Sequence, residues 1–284
     1  MLINEIEVHR PQDLPTAVKL LNRENCKILA GGTDLLQDKK FKNTTSLVDI
    51  SGLKELNFIK KTDSHVEIGA LTSFKDIEES EIIKNYVAGL NMAAREFGSP
   101  QIRSRATIGG NLGNNSPAAD SVPVLMAHEA RIKIIKPDLT EKTLDIADYC
   151  RNTEMKCLIK SLEIPHSPEK KLSYFDKLGT KKSVTIARLN LACLVLFHDG
   201  KKIDKCRIFL GALGKTPVRA REAEKIFCQS GLNDFSQAKI ELQKALKKLV
   251  DSSIPGRYSQ PYKRSAVQGL GQDLLQAMKE RLEL

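Results

Sequence analysis

The sequence predicts an α+β chain of two unequal parts, on three observations. A β-α-β-β order opens it, mixed strands and helices follow to about residue 164, and apolar strands then helices close it after a proline-broken stretch. With 284 residues, 41% of them hydrophobic, the chain can form one large or two medium domains with a sizeable core.

Residues 5–8 read as a short strand, and 15–22 have helical spacing with Pro15 suited to a first turn. Residues 26–30 form the next strand, ended by Gly31-Gly32, and 46–50 a third that stops before Ser51-Gly52. This order suits a small three-stranded layer with a ligand loop at a strand's carboxyl end. Residues 65–68 alternate as a strand, and the stretch from Thr72 to Asp76 offers a capping box. Residues 82–97 read as one helix, its apolar stripe running through Ile82, Ile83, Val87, Leu90 and Ala94. A short helix over 122–127 precedes strands over 130–136 and 156–164. Residues 165–171, with Pro165, Pro168, charge and no periodicity, read as a linker. Beyond it, 172–178, 187–198 and 202–210 read as antiparallel strands, with Asp199-Gly200 as a hairpin signal. Helices over 220–228, 236–250 and 262–282 complete the chain. The expected division is 1–167, with subdomains of about 1–55 and 56–167, followed by a smaller domain over 168–284.

The chemistry concentrates at two glycine pairs. The first lies in Leu29-Ala30-Gly31-Gly32-Thr33-Asp34-Leu35, and the second in Thr107-Ile108-Gly109-Gly110-Asn111 with Asp120 downstream. Paired glycines admit positive φ and let backbone approach a ligand without a Cβ between them. Successive free N–H groups in such a turn form a concave nest for an anion. Two such turns suggest a ligand with two phosphates or more. Neither a G-x-G-x-x-G opening a helix nor a P-loop is present.

On these segments the chain resembles the FAD-binding medium subunits of the molybdenum hydroxylases, the family of xanthine dehydrogenase and aerobic carbon monoxide dehydrogenase. Gly98-Ser99-Pro100-Gln101-Ile102-Arg103, Ser116-Pro117-Ala118-Ala119-Asp120 and Tyr174-Phe175-Asp176-Lys177-Leu178-Gly179 extend the resemblance over essentially the whole chain. It implies a two-subdomain FAD-binding domain of the PCMH/vanillyl-alcohol-oxidase type, then an α+β domain of antiparallel strands and a helix bundle. It also implies that backbone groups of Gly31, Gly32, Thr33, Gly109, Gly110 and Asn111 hold the diphosphate. Asp120 would bond the adenosine side, Ile159 would touch the flavin system, and Lys177 would be its basic neighbour. The residues alone leave alternatives: Asp34 as a turn or helix cap, Asp120 as a cap for the helix near Val122, Ile159 as core, and Lys177 as a surface lysine.

FAD would be bound non-covalently, since none of His9, His65, His128, His166 and His198 and none of the cysteines falls in either loop. The family implies a molybdopterin-binding large subunit and a [2Fe–2S] small subunit as partners, with NAD one possible acceptor. The cysteines, Cys26, Cys150, Cys157, Cys193, Cys206 and Cys228, show no C-x-x-C pair, so free thiols in a reducing cytoplasm are expected and no metal. No apolar run is long enough to span a membrane, and the N-terminus does not read as a secretory signal. The net charge of +10 raises a nucleic-acid-binding module, but lysines are dispersed, aromatics are 5% and tryptophan is absent, so no stacking platform accompanies the charge. A stand-alone FAD-dependent NAD(P)H reductase is the other alternative.

Overall fold

Three sheets, with helices between and beyond them, make up the computed structural model, which describes residues 6–37, 44–152, 155–166, 170–179, 186–198, 202–230 and 235–282. The first is parallel and three-stranded, in the order β1 (Glu7–His9), β3 (Ser46–Asp49), β2 (Cys26–Leu29). Helix α1 (Leu14–Leu20) crosses between β1 and β2 and is started by Asp13, whose carboxylate accepts the Thr16 N–H at 2.7 Å. Ala17, Val18, Val48 and Ile50 form a core that is closed by Leu71, Ile135 and Leu158 from the next unit.

That unit holds an antiparallel five-stranded sheet in the order β4 (Ile59–Lys61), β5 (His65–Gly69), β8 (Leu158–Pro165), β6 (Arg131–Ile135), β7 (Glu141–Asp145). A bulge in the β6–β8 register, between Lys133 and Ile134, shifts the alternation of β8 so that Ile159 and Leu162 enter the same core. Leu158 serves the first core and Ile159 the second. Helices α2 (Phe74–Glu79), α3 (Glu81–Tyr86), α4 (Ala88–Arg95), α5 (Pro100–Arg103), α6 (Ile108–Asn114), α7 (Ser121–Ala127) and α8 (Ile146–Arg151) complete it. The capping box forms as expected, Ser73 and Asp76 exchanging side-chain and backbone bonds.

The single helix expected over 82–97 is two helices. Val87 turns out of helical geometry at φ −140° and ψ 52°. The break lets α4 come down on the third sheet: Gly89 donates its N–H to Ser173 Oγ at 2.9 Å, and a Cβ on Gly89 would lie 2.9 Å from that oxygen. A continuous helix would keep the amide of residue 89 for its own ladder.

The third sheet is antiparallel, in the order β12 (Val218–Arg219), β11 (Lys202–Gly211), β10 (Leu189–His198), β9 (Lys171–Leu178). Alternation sorts its faces. Leu189, Leu191, Cys193, Val195 and Phe197 pack on helices α9 (Arg221–Ser230), α10 (Phe235–Ser253) and α11 (Gln260–Leu282). Phe175, Ala192 and Phe209 turn the other way and join the core of the middle unit. The Asp199-Gly200 hairpin signal and residues 167–169 of the expected linker lie outside the described residues.

Candidate functional site

The fold brings the two glycine segments together. A Cβ on Gly31 would stand 1.9 Å from the Arg105 carbonyl oxygen, and one on Gly110 would be 4.0 Å from the Ala30 Cβ. Arg105 Nε donates to the Gly31 carbonyl at 3.4 Å, across 74 residues of sequence. Only glycine permits this approach at position 31, while Gly32 supplies the turn itself with φ +72°.

The first segment leaves β2 at Leu29 and enters a single helical turn at Leu35. Between them the N–H groups of Gly31, Gly32, Thr33 and Asp34 donate to no atom among the described residues. Asp34 is exposed, and its carboxylate accepts no bond there. A cleft of about 670 Å³ opens beside Gly31, lined by Ala30, Leu53, Leu71 and Thr107, with the cations Lys54 and Arg105 and no acid on its wall. Unpaired amides, bare glycine backbone and a wall of one charge sign suit a phosphate-bearing ligand.

The second segment departs from expectation. It is no open loop but the first turns of α6, capped by Thr107, because the Thr107 hydroxyl accepts the Gly110 N–H at 3.1 Å. Ile108, Gly109 and Asn111 already donate to the carbonyls of Thr72, Ala70 and Thr107 at 3.0, 2.9 and 2.9 Å. These amides are therefore not a second free nest. Gly109 is a packing residue, since its Cβ would lie 2.7 Å from Ala70. Asn111 accepts from Ser121 Oγ at 2.6 Å. What α6 offers a ligand is a side-chain-free surface at Gly110 and Gly113, both exposed, with Ile159 Cδ1 3.9 Å from where a Gly113 Cβ would be. Ile159 is thus core and neighbour to that surface at once.

Asp120 and Lys177 meet. Lys177 Nζ donates to Asp120 Oδ2 at 2.7 Å and to the Glu96 carbonyl at 2.7 Å, with the two side chains 4% and 7% exposed. Lys177 is therefore not a solvated surface lysine, and Asp120 does not cap α7, although it stands at that helix's start. Burial pushes the Asp120 carboxyl up, while Lys177 and Asn190 pull it back. Burial likewise raises Glu96, against the pull of Lys177. Asn190 was not legible as a site residue: its Nδ2 donates to Asp120 Oδ1 at 2.9 Å. The available signal was a lone amide inside the apolar run Leu189-Asn190-Leu191-Ala192-Cys193.

Among the described residues no cluster of His, Cys, Asp or Glu could hold a metal, and all six cysteines are free. No helix there is long and apolar enough to cross a membrane.

Residues 4–167 match the family model described as the FAD binding domain in molybdopterin dehydrogenase, and 174–278 match that of the CO dehydrogenase flavoprotein C-terminal domain. The chain belongs to the FAD-binding medium subunits of the molybdenum hydroxylases, oxidoreductase complexes of the xanthine and CO dehydrogenase type. It is 30% identical to the glyceraldehyde dehydrogenase medium chain of Sulfolobus acidocaldarius, over 97% of this chain and 98% of that one. It is 34% identical to the carbon monoxide dehydrogenase medium chain of Hydrogenophaga pseudoflava, over 77% and 78%. The solved carbon monoxide dehydrogenase from Hydrogenophaga pseudoflava superposes with a TM-score of 0.87, at 25% identity and 99% coverage of both chains. FAD is accordingly the cofactor of this fold.

Proposed function

We propose that this chain is the electron-transfer subunit of a cytoplasmic molybdenum hydroxylase, with molybdopterin and [2Fe–2S] clusters carried by partner subunits. The observation that carries the reading is the run of four unpaired amides at Gly31–Asp34 beside a cleft walled by Lys54 and Arg105. Bound there non-covalently, FAD would supply the exchange between one-electron iron–sulfur partners and an external acceptor such as NAD.

The chain's own residues have separate tasks. The Gly31 to Asp34 amides hold the diphosphate, and Leu29, Ala30 and Leu35 fix the ends of that turn. Thr107 contributes its hydroxyl, shared with Gly110, and Ile108, Gly109 and Asn111 set the pitch of α6 against it. Gly110, Gly113 and Ile159 give a flat apolar surface against which a planar ring can lie, excluding water from one face. The Asp120–Lys177 pair keeps a cation held in one place at the buried end. The division of labour follows the chain, with residues 1–167 supplying the phosphate turn and the Gly110–Gly113 surface and residues 168–284 supplying Lys177.

An absorption spectrum of the purified chain, before and after acid precipitation, tests this. Flavin bands that move to the supernatant as FAD support the site. Flavin retained in the pellet refutes non-covalent binding, and a colourless chain that takes up no added FAD refutes the site. Co-purification with molybdopterin and [2Fe–2S] chains separates the subunit from a stand-alone reductase.

A further inference from the structure

We propose that Asn190 is a positioning residue for the Asp120–Lys177 pair, through which the C-terminal sheet controls the charge of the cofactor site. The inference rests on the reading of that site given above.

Asn190 is the second residue of β10, within its apolar run, and is fully buried. Its Nδ2 reaches Asp120 Oδ1 at 2.9 Å while its own Oδ1, also buried, meets no donor. A leucine would fill this place without leaving an oxygen unmatched; what asparagine adds is a donor on Asp120. The neighbouring strand fixes its orientation. A Cβ on Gly211 would stand 2.0 Å from Asn190 Oδ1, so the carboxamide is wedged against bare backbone with its donor end toward Asp120.

Both carboxylate oxygens of Asp120 are thereby occupied, one by Asn190 and the other by Lys177. The remaining charged groups nearby are Glu96 at the end of α4 and Asp176 on β9, with Asp273 of α11 acting on Asp176. Glu96 and Asp176 are both raised by burial. Two fixed donors favour the ionised carboxylate, and an ionised Asp120 holds Lys177 as a cation in one position. Asn190 touches neither ring nor phosphate; it acts through Asp120.

The variant N190D is nearly isosteric and makes the test. Two facing carboxyls share one proton, so at acid pH the new group donates to Asp120 as the amide does, and at alkaline pH the two repel. The dissociation constant of FAD for the deflavinated full chain is measured by flavin fluorescence from about pH 5.5 to about pH 8.5, the range into which burial and a like-charged neighbour raise a carboxyl. The expected result is wild-type affinity for N190D at the acid end and roughly tenfold or greater weakening, relative to wild type, at the alkaline end. N190L, apolar and of similar size, removes the donor without adding a charge and should weaken FAD binding across the range with no added loss at the alkaline end. An N190D profile that parallels wild type would overturn the proposal. Should N190D not fold, N190L decides it: wild-type affinity across the range would also overturn it. A wild-type chain that binds no FAD at any pH instead fails the site reading itself.

Discussion

Gly31 and the carbonyl of Arg105 are in such close contact that any side chain at position 31 must separate them, a Cβ there falling 1.9 Å from that oxygen. This contact is what makes one site from two distant segments. The substitution G31A is therefore expected to destabilise the chain by about 1–3 kcal/mol, the usual range for forcing a methyl into filled space. FAD affinity should fall further than stability does. Thermal melts with and without FAD separate the two effects, and an unchanged FAD-induced shift in G31A would count against a shared site.

The Asp120–Lys177 pair should show the asymmetry of buried ion pairs. Either D120A or K177A leaves the other group buried without its counter-ion, and each is expected to cost about 3–5 kcal/mol. The double variant D120A/K177A should be less destabilised than the sum of the singles. Urea unfolding of the four proteins checks this; strict additivity would mean that the two groups do not interact.

Thr107 ends β-type backbone and begins α6, its hydroxyl accepting the Gly110 N–H at 3.1 Å. T107A should lose about 1 kcal/mol and T107S almost none, as for other capping hydroxyls. If the hydroxyl also serves the cofactor, T107A weakens FAD binding and T107S restores it. Isothermal titration of the three proteins distinguishes a cap alone from a cap that is also a ligand.

His128 gives the chain an acid limit. It is 3% exposed, and its Nε2 sits 2.7 Å from Ser173 Oγ, an oxygen that already accepts the Gly89 N–H. Burial favours the neutral ring, which shares a hydrogen bond with that hydroxyl. Burial, with Lys171 and Arg207 adding to it, pulls the imidazole down to about 3. The unfolded chain would titrate near the usual ~6.5. Between those values the unfolded state holds the extra proton, so the stabilisation is complete above about pH 6.5 and is lost as pH falls toward 3, by about 1.4 kcal/mol per pH unit. H128Q should remove one proton's worth of that slope in chemical denaturation between about pH 6 and about pH 4, a span inside the stated window. An identical slope would show the ring to be protonated in the folded chain.

The sequence was most legible where one physical signal dominated. Alternation marked β5, a continuous apolar run marked β10, and the Ser73–Asp76 spacing marked the start of α2. It was least legible where tertiary contact overrode local preference. Val87 reads as part of a helical stripe but sits at a break imposed by Gly89 docking on Ser173. Gly109-Gly110 reads as a loop because glycine is a poor helix former, yet Thr107 caps a helix there and Ala70 demands a residue without a side chain. Strand β7, with the sequence Glu141-Lys142-Thr143-Leu144-Asp145, carries mostly polar residues and is held at the sheet edge by β6 alone. At the site, the first loop could be read from its glycines, whereas Asn190 needed the register of β10 to show which way it faces.

The N-terminal layer does not finish its own interior, since Leu71, Ile135 and Leu158 come from the unit beside it. The cleft lies along that same seam, with Ala30 and Gly31 on one lip and Leu71 and Thr107 on the other. A molecule seated there therefore works as a rivet. Chains emptied of cofactor should be cut by proteases first at this joint.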